Sequence, residues 1–251
     1  MDRRTVLAGL ATGLLTPSAA LAADRMRLSM LVAELAAVAD AMEEDPTVQA
    51  DFESFVQARD LVPTASLRRD FTRVKLVFEA TRDGGWWHLR WDITNEKPNS
   101  EKIWAQWRAE PPLFDAAGDP LPTATAECDE LSALFAFLGR KLGVDKLGLF
   151  WPEWNHVVAV WSVTQEGTTH RIVVPTSQIF LDADASLGTK GFNPWKQKTI
   201  YTYRRKDVSE QSSLPEAFAR TLIDQAWLHA FEDPATAQKR RNERSRVLDG
   251  S

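Results

Sequence analysis

The chain contains a single cysteine, Cys128, in the stretch "ECDELSALF" (Glu127–Phe135), and four histidines at 88, 156, 170 and 229. A thiol attacks carbon only as the thiolate, so it needs an electropositive setting or a neighbouring base. Apolar spacing predicts a helix from about Thr125 to Leu142, with Leu131, Phe135, Leu138 and Leu142 on one stripe and Gly143 closing it. Cys128 shares that stripe, because 128, 131, 135 and 138 step by three, four and three. The thiol therefore faces the body of the protein near a helix N-terminus, where the helix dipole favours thiolate. The segment "HVVAVWSV", 156–163, reads as a strand, and its first residue supplies the candidate general base, His156. Backbone N–H groups at the open helix end are candidates for an oxyanion hole. Glu127 and Asp129 flank the thiol and raise its pKa if they point at it. The bland alternatives are a buried cysteine acting as a small hydrophobe and a strand histidine bonded to backbone.

A third group must orient the imidazole. Gln165-Glu166-Gly167-Thr168 is a turn, and "HRIVV", 170–174, starts a return strand running through Thr176 to Phe180. With a two-residue turn at Glu166-Gly167, His156 lies across from Ser177. With a three-residue loop at 165–167, Thr176 is opposite and Gln178 is a diagonal neighbour on the same face. Asp182, in the loop beyond, is the other candidate; Gln178 is favoured over it. Trp151 and Trp154, just before His156, are candidate walls of a substrate groove, since a flat amphipathic ring suits peptide or sugar faces. His88 and His170 read as surface positions on alternating strands, and His229 as a solvated position on the last amphipathic helix. The histidines and the cysteine match no local metal-ligand spacing. Gly84-Gly85 reads as a hairpin turn rather than a phosphate loop. No metal and no cofactor are expected.

Taken together, "ECDELSALFAFLGRKLGV", then "WNHVVAVW", then "RIVVPTSQIF" resembles the core of transglutaminase-like cysteine proteins, over roughly residues 120–205. The resemblance implies a papain-related fold whose members are peptidases, amidases and acyl transferases. It implies Cys128 as nucleophile and His156 as base. The family places an Asp just before a Pro-Thr pair on the return strand. Here Pro175-Thr176 is present, but Val174 stands at the Asp position, so the resemblance leaves catalytic competence open.

The elements that must position these groups can be read along the whole chain. Residues 26–42 form a helix with Leu28, Leu31, Val32, Leu35 and Val38 at helical spacing, and residues 47–59 a second with Phe52, Phe55 and Val56 on one side. Val74, Leu76 and Phe78 alternate with polar neighbours, Asp83-Gly84-Gly85 follows, and Trp87, Leu89 and Trp91 alternate again. This predicts a hairpin, with a helix over Phe71–Thr81 as the rival reading. A short helix opens at Pro98-Asn99-Ser100. The Pro- and Gly-rich residues 109–124 form a loop feeding the cysteine helix. A later strand lies within 198–205, residues 182–194 are a loop, Pro215–Phe231 is an amphipathic helix, and the polar stretch after Pro234 is a flexible basic tail.

At 251 residues, 44% apolar and 26% charged, the chain supports a sizeable core. Its ten tryptophans are mostly expected as core anchors. A formal charge of −5 argues against a nucleic-acid partner. Arg3-Arg4, the apolar run Val6–Leu15 and Ala20-Leu21-Ala22 form an export signal over residues 1–22, with Ala23 as the new terminus. "DRRTVLAGL" resembles a twin-arginine signal of a bacterial exported protein, with Val6 and Ala8 departing from the usual Phe and Lys. The apolar run is too short to span a bilayer, so no membrane span is expected once the signal is removed. Removing the signal, which carries one net positive charge, makes the mature chain one unit more acidic.

The reading is therefore an α+β protein, periplasmic or secreted. N-terminal helices and a hairpin (24–108) precede a helix packed on an antiparallel sheet with a closing helix (109–233), and then the tail (234–251). Two functions compete. One is a cysteine hydrolase or acyl transferase acting on an amide bond of a peptide, protein or peptidoglycan peptide. The other is a catalytically inactive binding or assembly protein with a Trp-lined groove.

Overall fold

The computed structural model describes residues 25–82, 84–91, 116–118, 121, 124–126, 128–153, 156–174, 176, 201–202, 213–231 and 234–249. Among them are six helices and eight strands in a mixed α+β arrangement. The order is β1 (Arg25–Arg27), α1 (Leu28–Met42), α2 (Pro46–Ala58), α3 (Ala65–Thr81), β2 (Leu89–Trp91), β3 (Ala124–Ala126) and α4 (Cys128–Lys141). Then come β4 (Leu147–Glu153), β5 (His156–Gln165), β6 (Thr168–Val174), β7 (Tyr201–Thr202), β8 (Ser213–Pro215), α5 (Glu216–His229) and α6 (Pro234–Asp249).

The first two helices follow from local chemistry. In α1, Leu28, Leu31, Leu35, Val38 and Met42 recur on one face and are all buried. Asp45 caps α2, accepting from the N–H of Thr47 at 2.9 Å, and Pro46 fills the first helical position, where a missing N–H costs nothing. Thr64 caps α3 by accepting from the N–H of Leu67 at 3.1 Å.

Helix α3 overturns the hairpin expected over 74–91. Val74, Leu76 and Phe78 lie in a helix that also buries Leu67, Phe71, Val77 and Ala80. The rival helix over Phe71–Thr81 is the structure. The alternation misleads because α3 packs against α1, α2 and α4, so it buries more than one stripe. The residues after it form a helix-ending turn. The N–H groups of Trp86 and Trp87 bond the carbonyls of Glu79 and Ala80 at 2.8 and 3.1 Å, and Gly84 takes φ +61°. Leu89–Trp91 is a strand, but its partner is β3, in parallel, with Leu89 across from Ala124. Residues 124–126, expected to end the loop and open the cysteine helix, are therefore sheet.

Four strands form the main sheet in the order β6-β5-β4-β7, all antiparallel. Glu166 and Gly167 both have positive φ (48° and 79°), the geometry of a two-residue hairpin turn. The register follows, with Gln165 across from Thr168 and Ala159 across from Val174. Strand β4 was not anticipated. Its sequence, "LGLFWPE", contains a glycine and a proline, and its ladder is irregular between Phe150 and Glu153. Along β5 the residues alternate strictly. Val157, Ala159, Trp161 and Val163 join the main core with the helices, while Val158 and Val160 join Phe150 and Val173 in a separate cluster on the opposite face.

Helix α4 lies between this sheet and α3. It ends where the sequence indicates: Gly143 takes φ +93°, and the N–H of Val144 bonds the carbonyl of Gly139 at 3.0 Å. Residues 234–249, expected to be a flexible tail, form helix α6, which packs on α5. Arg240 pairs with Glu44 at 3.0 Å, Arg241 pairs with Asp224 at 2.5 Å, and Ala237 is buried, so ion pairs and one small contact dock a helix that lacks an apolar stripe. The short helix expected at Pro98, the loop over 182–194 and most of the loop over 109–124 lie outside the described residues.

A Cβ at Gly85 would collide with the Glu79 carbonyl, whereas one at Gly84 meets nothing within 4 Å and suffers only the left-handed φ. Gly85→Ala should therefore cost about 2–3 kcal/mol in urea denaturation and Gly84→Ala about 1 kcal/mol. The reverse order would contradict the turn geometry.

Candidate functional site

Cys128 is the first residue of α4 and is 7% exposed. Both the helix-tip position and the inward direction match the apolar spacing. The first turn also carries Asp129 and Glu130. Negative charge there is favourable to the helix N-terminus, though it opposes thiolate formation. Glu130 is 2% exposed, a buried carboxylate two residues from the thiol that no apolar periodicity singles out. The side chain of Glu127 lies outside the described residues.

Ser132 stands one helical turn beyond Cys128, on the same face. It is fully buried, and its hydroxyl lies 3.3 Å from the carbonyl of Val157, to which it donates. The same oxygen lies 3.5 Å from the hydroxyl of Thr176, which is itself buried. Continuing the β5–β6 register beyond Val174 sets Thr176 across from Val157, so Ser132 touches two facing positions. One hydroxyl thus joins the start of α4, the start of β5 and the segment that follows β6. These are the three places where the nucleophile, the base and the orienting group were sought. Sequence reasoning passed over Ser132, although a lone hydroxyl four residues after the cysteine in an otherwise apolar run was a usable signal.

His156 opens β5 and pairs with Glu153, and Trp151 lies in β4; for both, the description covers the backbone alone. Trp154, Ser177, Gln178 and Asp182 lie outside the described residues. The two-residue turn removes the three-residue alternative that set Thr176 across from His156. Three tryptophans, Trp87, Trp161 and Trp227, are buried core anchors.

Of the other histidines, His88 departs from its sequence reading. His88 is not on a strand but in the turn after α3, with φ +53°. The hairpin that would have held it does not exist. His229 is exposed at its outer edge, yet its ring stacks on Trp86 at 6.1 Å and its Nε2 lies 3.0 Å from Gln225 Oε1. Burial lowers the pKa of both, and the charge of His229 lowers that of His88 further. His170 sits half-buried on β6, across from Val163. Among the described residues, no three His, Cys, Asp or Glu side chains converge to hold a metal ion.

Comparison with protein-family models, with curated proteins and with solved structures returns no match for this chain. The site therefore rests on its own geometry.

A histidine whose folded pKa is depressed leaves the unfolded chain binding more protons below the ordinary value of 6.5. The contribution of His88 and His229 to stability is then complete above pH 6.5 and is lost as the pH falls below it. Melting temperatures should decline from about pH 7 to 5.5, and the His88→Gln/His229→Gln double variant should show a flatter profile. An unchanged slope in that variant would exclude these two groups as its cause.

Proposed function

We propose that the protein is an exported cysteine hydrolase or acyl transferase of transglutaminase-like type, acting on an amide or peptide bond. The observation that supports this best is the bond from Ser132 to Val157. It ties the turn of α4 that follows Cys128 to the residue that follows His156. In the proposed reaction His156 takes the proton of the Cys128 thiol, and the thiolate adds to the amide carbonyl. His156 then returns the proton to the leaving amine as the C–N bond breaks. Water releases the acyl group in a hydrolase, and a second amine does so in a transferase. Gln178, or else Asp182, holds the ring; Trp151 and Trp154 flank the substrate. The N-terminus of α4 is the positive end of the helix dipole, which suits it to a developing oxyanion. With the signal read at residues 1–22, the protein acts in the periplasm or outside the cell, where peptides, proteins and peptidoglycan peptides are available. No helix among the described residues is long and apolar enough to cross a membrane.

A second reading, a non-catalytic binding or assembly protein on the same fold, is favoured by a different observation. Cys128 is nearly closed to solvent, and strict alternation along β5 from Val158 would carry position 156 to the face away from α4. The ladder irregularity between Phe150 and Glu153 separates the Glu153–His156 pair from the regular register, which is what the catalytic reading requires.

The test is turnover of a panel of peptide amides, with and without an added amine. Wild type should release ammonia or cleaved peptide, and Cys128→Ala and His156→Ala should each lose at least roughly a thousandfold. Turnover that survives Cys128→Ala would sink the catalytic reading, and no turnover by wild type would leave the binding one.

A further inference from the structure

A cavity of about 400 Å³, within the range of small-molecule sites, opens at the other end of β5 from His156. Trp161 contributes to its lining, five residues or about 16 Å of strand from position 156. Its walls are the first turns of α3, the turn between α4 and β4, and the end of the β5–β6 hairpin. Two of these walls each contribute an adjacent acid and base: Arg69 with Asp70 from α3, and Asp145 with Lys146 from the turn.

The walls are tied together by side-chain hydrogen bonds. Gln165 clamps Val62, accepting from its N–H at 2.8 Å and donating to its carbonyl at 2.7 Å. This ties the hairpin end to the α2–α3 connection. Lys146 Nζ bonds Thr164 Oγ1 at 3.3 Å, which leaves two of its three donors for another partner. A cavity built this way loses little freedom on binding.

We propose that this cavity binds a small zwitterion of dipeptide size, with its ammonium group on Asp70 and Asp145 and its carboxylate on Arg69 and Lys146. A simple anion would meet two carboxylates, and a simple cation would meet two bases. A neutral polyol would make no use of the four charges, of which those of Arg69, Asp145 and Lys146 otherwise face water. A ligand carrying both charges pairs each with its opposite. The electrostatics of the cavity agree: burial raises the pKa of Asp70, Arg69 and Arg73 only partly oppose the rise, and Asp145 adds to it. An ammonium group placed there would relieve that strain. The proposal stands apart from the chemistry at Cys128 and does not depend on it.

Calorimetric titration of the full chain with Ala-Ala, N-acetyl-Ala-Ala and Ala-Ala-amide tests it. Ala-Ala should bind at one site. Blocking either end should weaken binding at least about tenfold, as should Asp70→Asn or the exposed Lys146→Gln, while Cys128→Ala leaves it unchanged. No saturable binding of Ala-Ala at millimolar concentration, or equal binding of the blocked forms, would overturn the assignment. So would a loss of binding in Cys128→Ala, which would move the ligand to the other site.

Discussion

Helix α4 is buried on every side from Glu130 to Gly139, and the sheet and α3 are arranged around that burial. Leu131, Phe135 and Leu138 are each shielded completely, and each such side chain contributes about 1.5–3 kcal/mol. Apolar contact of this kind is strong but has no preferred direction. It would hold the helix against the sheet in several rotations. The hydroxyl of Ser132 removes that freedom, since turning the helix by one residue would strand a buried donor and leave the Val157 carbonyl without it. One polar bond thus adds a directional constraint to the close packing that seats the helix.

The site inherits its geometry from that seating. Cys128 lies one turn before Ser132 on the same face, so whatever fixes the serine also fixes the thiol. The far end of the same helix is fixed by Gly143 and its carbonyl-capping bonds, which set where β4 begins. Strand β5 in turn serves two faces, and its first residues are where the helix tip, the strand and the chain leaving β6 converge. The cavity at the opposite end of β5 is framed by different elements and by a charge balance of its own, so the two ends of one strand support separate chemistry.

Much of this was legible in residue order because local signals agreed with the tertiary outcome. Gly143 ends α4 and Glu166-Gly167 turns the hairpin, each by backbone chemistry that needs no distant partner. Misreadings came where the environment overrides the local pattern. Helix α3, enclosed by three neighbours, buries residues that alternate by chance and so looks like a strand. Strand β4 carries a proline at an irregularity and goes unnoticed. Helix α6 has no apolar stripe, and its docking depends on Asp224 of the preceding helix and on Glu44, far away in sequence. At the site, the helix-tip cysteine followed from spacing. The buried Glu130 and the bridging role of Ser132 did not, because both depend on what packs against α4 from other parts of the chain.

The central claim is that the tip of α4 sits against the start of β5, and a single native thiol makes that claim directly measurable. In a His156→Cys variant, position 156 and Cys128 form a unique pair, able to bridge only if their Cα atoms lie within about 7 Å. Mild oxidation of the folded variant should consume both thiols within one chain, seen by mass as the loss of two hydrogens and by the absence of alkylation after unfolding. Two thiols that stay free under oxidant in the folded protein, and label fully once it is unfolded, would place position 156 out of reach of the helix tip.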